Sequence, residues 1–199
     1  MQMVTDTERL LKESGFDLVG EYSRAVELAV LDQSGVVLDI ATGSGRMACE
    51  LAKAGFYVWS GDISEEALQK ARLRLGDLVS RVKLFTFDGA DTPFDSGIFQ
   101  SITCANAIHE MENPQSVLLE MTRLLSDTGT LVLLEFNKLG FRLMDEIHRK
   151  QGRPEHRLGI MPEGEIDVQL RAMFEDVSVS DLGVNKVWIA TGKRILSED

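Results

Sequence analysis

The chain has little cysteine, two residues in 199. Cys49 and Cys104 cannot build a disulfide framework or a four-cysteine zinc site, and a reducing compartment is the simplest setting. No apolar run approaches the ~20 residues that span a bilayer. The start Met1-Gln2-Met3-Val4-Thr5-Asp6 has neither the basic residues nor the apolar stretch of a signal peptide. Cytoplasm is therefore the expected location. Positive charge is also scarce: 21 Lys and Arg face 32 Asp and Glu, for a net charge of −11. That field repels polyanions, so neither nucleic acid nor an anionic membrane is an expected partner. Repeats and low-complexity segments are missing too. A 44% hydrophobic, 27% charged chain of this length is an ordinary globular protein able to bury a core without staples.

What is present is an alternation. Residues 5–13 and 20–32 read as helices. Val36 to Ile40 is an apolar run interrupted only by Asp39, as suits a strand buried on both faces. Ala41-Thr42-Gly43-Ser44-Gly45 turns into a helix that Gly55 ends. Strands follow at 56–60, 81–87, 98–104 and 130–136, with a Ser64-capped helix from Glu65 to Leu75 and a Pro114-initiated helix to about Leu125. The rhythm predicts a parallel sheet wrapped by helices on both faces. After a helix from Glu163 to Phe174, strands at 176–181 and 186–193 are separated by four residues only. That link is too short for a crossover, so the last strand runs antiparallel. The expected fold is a doubly wound, mostly parallel seven-stranded α/β sheet ending in an antiparallel hairpin.

Glycines at the C-terminal end of the first strand let backbone approach a ligand, and the helix behind presents free N–H groups. Asp62 stands 17 residues beyond Gly45, at the end of the second strand, where a carboxylate accepts hydrogen bonds from ribose hydroxyls. A tight turn alone would also explain the glycines; strand, glycines, helix, strand and acid together point to a nucleoside site. A dinucleotide fingerprint needs a third glycine where Ala48 stands, which disfavours an oxidoreductase without removing it.

With Asp39 inside the first strand, the run V-L-D-I-A-T-G-S-G resembles the first motif of class I S-adenosylmethionine-dependent methyltransferases. Ser60-Gly61-Asp62-Ile63-Ser64 is similar to that family's second-strand end, and Phe87-Asp88-Gly89-Ala90 to the segment facing the adenine amino group. Pro93 to Phe99, Asn106-Ala107-Ile108-His109 and Pro114 to Phe136 resemble the segments leading into and beyond the fourth strand. Gln100 and Asp127-Thr128-Gly129-Thr130, read as a turn, depart from the pattern at structural positions. The resemblance implies S-adenosylmethionine as cofactor, bound by Asp39, Ala41, Gly43, Gly45, Asp62, Ile63, Asp88, Gly89 and Asn106. Asp39 would receive the ammonium or brace the glycine turn, and Tyr22 and Arg24 would close over the carboxylate. No metal is implied.

Methyl transfer needs alignment and a dry pocket, and a base only if the acceptor starts protonated. His109 is the candidate base, with Glu110, Glu135 and Asn137 nearby; a packing role for His109 and a buried structural role for Glu135 are the alternatives. Cys104 reads as a buried apolar residue. The absence of a proline motif after the fourth strand argues against amino methylation of adenine or glutamine. A compact small-molecule acceptor is the leading expectation, with a protein side chain or a non-catalytic cofactor-binding subunit as alternatives; oligomeric state stays open. Residues 1–199 read as one methyltransferase domain, with cap helices in 1–33 and a lid-like insertion at 138–161. Within that insertion, residues 138–157 hold six Lys or Arg against three Asp or Glu. This reads as a solvated surface stretch or as a lid that meets an acidic substrate.

Overall fold

A computed structural model describes residues 4–152 and 161–194. Two helices come first, α1 (Asp6–Glu13) and α2 (Leu18–Ala29). The Thr5 side chain accepts the Glu8 N–H while Glu8 reaches back to Thr5, a reciprocal cap on α1. The alternating body runs β1 (Val36–Ile40), α3 (Arg46–Lys53), β2 (Tyr57–Asp62), α4 (Glu65–Leu75), β3 (Val82–Thr86), β4 (Phe99–Ala105), α5 (Pro114–Leu124) and β5 (Leu125–Phe136). Then come α6 (Lys138–Lys150), α7 (Glu163–Met173), β6 (Phe174–Leu182) and β7 (Asn185–Lys193).

The seven strands form one sheet in the order β3-β2-β1-β4-β5-β7-β6. β1 through β5 pair in parallel, and β7 is antiparallel to both β5 and β6. The expected doubly wound sheet with a terminal hairpin is the one observed. Successive residues of one strand feed opposite layers, as the period of a strand requires. Val132 and Leu134 pack under α2, α3 and α6, whereas Leu131 and Leu133 pack with α5, α7 and Trp188.

One boundary differs from expectation. Asp127 to Thr130 is no separate turn, because β5 already begins at Leu125 and its pairing with β4 shifts register between Phe99 and Ser101. Gly129 makes this possible: a Cβ there would lie 2.7 Å from the Leu125 side chain and 3.1 Å from the Gln100 carbonyl. The insertion contains α6, which occupies 138–150. Its remainder, including Arg153, Pro154, His156 and Arg157, lies outside the described residues. Among the described residues, no helix is long and apolar enough to cross a membrane.

Candidate active site

Winding reverses between β1 and β4, and ligands of open α/β sheets bind in the crevice this leaves at the strands' carboxyl ends. A cavity of about 720 Å³ opens there. It brings together Ala41, Gly43, Asp62, Ile63, Asp88, Gly89, Asn106 and His109, eight of the ten residues expected from sequence. Ala41 (φ 61°) and Asn106 (φ 50°), which end β1 and β4, both hold left-handed backbone. Such conformations cost free energy outside glycine and cluster where a chain is shaped for a ligand.

The other two expected residues serve beneath the cavity. Asp39 is 1% exposed and does not line it. Its carboxylate accepts from Ser60 Oγ at 2.6 Å and Thr103 Oγ1 at 2.9 Å, and the Thr42 hydroxyl lies 2.6 Å from that of Ser60. The acid braces the glycine turn through these side chains. Burial raises its pKa to about 7, against the pull of the two hydroxyls. Gly45 (φ 76°) faces α4: a Cβ there would lie 2.9 Å from the Ala71 Cα. It permits helix packing, whereas Gly43 (φ 52°) has nothing nearer than 3.9 Å to its absent side chain. The two glycines of one turn thus face different neighbours.

Asp62 accepts from the Gly43 N–H at 2.8 Å and the Ser64 N–H at 2.9 Å. This ties the glycine turn to the start of α4 and fixes the carboxylate at the cavity wall. Beside it Ile63 is 72% exposed, an apolar surface with no protein covering it. Gly89 lets its loop approach Ile40, since a Cβ would come within 3.0 Å of that side chain.

His109 sits in a short 3₁₀ turn after β4, 5% exposed. Its Nδ1 lies 2.7 Å from Glu135 Oε1, and its backbone N–H donates to Glu135 Oε2 at 3.3 Å. Burial pulls the imidazole pKa down, but the hydrogen bond and charge of Glu135, with Glu110, outweigh this and raise it. Phe141 of α6 meets the ring edge-on at 5.1 Å, and Phe136 lies at 5.8 Å. Met111, Met144 and His148 line the same cavity. Glu135 is thus bonded to the histidine, while Asn137 does not line the cavity and caps α6, accepting from Leu139 and Gly140 N–H groups.

Tyr22 lines the cavity, as expected, and accepts from Asn106 Nδ2 at 3.1 Å. Arg24 does not; it pairs with Glu27 on the outer face of α2. Arg46 lines the cavity in its place. Sequence reading missed it, although a cation directly after the second glycine, in the first turn of a helix where positive charge is unfavourable, was a visible anomaly. Cys104 is fully buried and its thiol pKa is pushed well above the usual value by burial, as befits a core residue. No group of three or more His, Cys, Asp or Glu able to hold a metal occurs among the described residues.

A family model described as a methyltransferase domain matches residues 38–133. The range contains the glycine turn, Asp62, Asp88 and His109. The matched range, just under half of the chain, is that of a methyltransferase domain. A demethylmenaquinone methyltransferase of Clavibacter sepedonicus is 35% identical over 102 residues, 51% of this chain and 41% of that relative. A ubiquinone/menaquinone biosynthesis C-methyltransferase of Citrifermentans bemidjiense is 33% identical over 118 residues, 57% of this chain and 50% of its own. The chain therefore spans half the length, or less, of these relatives. Among solved structures, a Pyrococcus horikoshii protein superposes with a TM-score of 0.71 at 20% identity, over 87% of this chain and 89% of its own. A methyltransferase dependent on S-adenosylmethionine from Aquifex aeolicus gives 0.65 at 18%, over 95% and 100%. These last two likenesses show the fold.

The family match ends before Glu135. Tyr22, Phe136, Phe141, Met144 and His148 also lie outside it. The cavity therefore has a part around the glycine turn inside the matched range and a part walled by α2, α6 and the end of β5 outside it.

Proposed function

We propose that this chain transfers the methyl group of S-adenosylmethionine to a compact ring compound bearing an ionisable hydroxyl, of the quinol class. The observation that carries the reading is the His109–Glu135 pair, with His109 on the cavity wall beside Phe136 and Met144 and its ring backed by Phe141. An apolar, aromatic wall suits a flat ring, and a carboxylate-anchored imidazole suits a proton that must leave it. The names of the two relatives, both concerned with quinones, agree with this class.

The residues fit the cofactor. Asp62 would bond to the ribose hydroxyls, Ile63 would offer its bare apolar face to adenine, and Asp88, which lines the same cavity, would take the amino group. Gly43 leaves room for the ligand, Gly89 lets its loop pack closely, and Ala41 and Asn106 shape the walls. Asp39 and Gly45 support the turn from behind. When bound, the cofactor supplies an electrophilic methyl group on a cationic sulfur. His109 holds the acceptor's hydroxyl proton at its ring, and Glu135 keeps Nδ1–H directed away from the acceptor. Phe136 and Phe141 exclude water, which strengthens alignment by removing competing contacts.

Two measurements test the reading. Calorimetric titration should give binding of S-adenosylhomocysteine and none of a nicotinamide dinucleotide, with Asp62→Ala weakening the former by about 1.5–3 kcal/mol. Mass spectrometry should then find methylated product from demethylmenaquinol kept reduced. Because the His109 pKa is raised, its basic form grows only above the usual 6.5, so kcat/KM should climb with pH through a limb above that value. Glu135→Gln should move this limb to lower pH, and His109→Gln should abolish it. Cofactor binding without transfer to the quinol probe would sink the acceptor assignment; preference for the dinucleotide would sink the whole reading.

A further inference from the structure

The chain has three histidines, and two of them, His109 and His148, line the same cavity. His109 comes from the 3₁₀ turn after β4 and His148 from the last turn of α6. Basic residues in the last turn of a helix offset its dipole. Arg149 and Lys150 supply that charge on the exposed side of α6. His148 is half-buried and reaches the cavity instead, so the dipole does not account for its place.

The order of residues along α6 gives a second reason. Among the described residues of α6, Met144 and His148 line the cavity. Phe141, Met144 and His148 stand at i, i+3 and i+7, which is one stripe of a helix. Phe141 meets the His109 ring edge-on at 5.1 Å and so marks the level of that histidine along the helix. Met144, one turn on, is buried. His148 then ends an otherwise apolar stripe with a polar group. The seven-residue step from Phe141 to His148 covers about 10 Å of helix axis. The two imidazoles therefore stand at the two ends of a stretch of wall, with the Met144 side chain between their levels.

A wall that is apolar in its middle and polar at both ends fits a ring with a polar atom at each end. On the reading proposed above, one hydroxyl of the quinol gives its proton to His109. A six-membered ring with oxygens para to each other, extended by a hydrogen bond of about 2.8 Å at either end, spans the same length as that stretch of wall. An imidazole suits such a hydroxyl, because its neutral form carries one donor and one acceptor nitrogen and a hydroxyl can meet either. His148 also lies beyond the matched range 38–133, as does the whole of α6.

We propose that His148 binds the second hydroxyl of the acceptor, para to the one that His109 deprotonates, and thereby selects for a ring with two oxygens. The proposal rests on the quinol reading and adds to it a specificity-determining residue. The second hydroxyl takes no part in the transfer, since the hydroxyl that loses its proton activates the ring without it. Its contact with His148 serves recognition alone.

Steady-state methylation by the full chain tests this, with demethylmenaquinol kept reduced and with its analogue lacking the hydroxyl para to the reacting one. The unsubstituted protein should use the two-hydroxyl compound with a kcat/KM at least tenfold higher, chiefly through KM. His148→Leu should lose tenfold or more on that compound and stay within about twofold on the analogue, a coupling that independent changes do not show. His148→Gln, which keeps a hydrogen-bonding group, should fall between. Titration with S-adenosylhomocysteine should give both variants the affinity of the unsubstituted protein within about twofold, as a check that they fold. Equal kcat/KM of the unsubstituted protein for the two compounds would overturn the role of His148 and leave the quinol reading standing, as would equal losses for both in His148→Leu. Methylation of neither compound by the unsubstituted protein would overturn the quinol reading as well.

Discussion

Gly43 and Gly45 stand two residues apart and respond to different demands. Both hold positive φ, where a β-carbon costs about 1–2 kcal/mol. At Gly45 the added atom also collides with the backbone of α4, 2.9 Å from the Ala71 Cα. Gly45→Ala should therefore lower unfolding stability by a further 1–3 kcal/mol or so, the range for overpacking. Gly43→Val meets no such neighbour and should remain folded, yet its branched side chain occupies ligand space and should abolish S-adenosylhomocysteine binding. Thermal unfolding and titration of the two variants separate the effects. A Gly43→Val protein that keeps its affinity would mean that the ligand does not pass this turn. Sequence showed that the glycines mattered but not which way each faced, because that depends on α4, brought against the turn by tertiary packing.

Elements were read from sequence most reliably where a local signal marks their ends. Ser64 caps α4 and the predicted range, Glu65 to Leu75, is the observed one. Pro114 opens α5 in the same way. The start of β5 was missed because it depends on an irregularity facing β4, and Gly129, which permits it, reads equally well as a turn residue. α6 is a more instructive case. Its apolar side packs inward, with Met144 and Ile147 buried and Phe141 against His109. Its start is clamped as well: the Asn137 side chain donates to the Gly183 carbonyl at 2.9 Å, and a Cβ on Gly140 would lie 2.2 Å from the Val184 carbonyl oxygen. A helix fastened at one end to the β6–β7 hairpin behaves as a fixed wall there. Hydrogen exchange on the cofactor-free protein should accordingly be slow over 141–147 and faster over 148–152, where exposed basic residues and the positive φ of Gly152 end the helix. Uniformly fast exchange from 138 to 152 would show a freely moving lid instead.

At the scale of the whole molecule, a −11 chain places its buried ionisable groups in opposition, and its pH–stability curve should reveal this. Asp39 has a folded pKa raised to about 7 from 3.8, so the folded state holds its proton longer than the unfolded chain. Stability from this group is complete below 3.8 and is lost as pH climbs toward 7; a rise of that size corresponds to roughly 4 kcal/mol at most. His109, also raised, contributes stability below the usual 6.5 that is lost as pH passes its folded value. Glu8 acts in the opposite sense. Burial opposes its charge, but Arg46 and the Thr5 N–H prevail and depress its pKa. Its contribution is present above 4.5 and disappears as pH falls through the folded value. The molecule should therefore be most stable in mild acid, between the range where Glu8 is lost and the range where Asp39 is forced to ionise. Asp39→Asn removes the ionisation while keeping a side chain that can bond to Ser60 and Thr103. Urea midpoints measured from pH 5 to pH 8.5 should fall for the unsubstituted protein and be markedly flatter for Asp39→Asn, with the two curves converging in acid. Parallel curves would mean that Asp39 ionises without cost in the fold and that its bonds to the two hydroxyls, more than its burial, govern its charge.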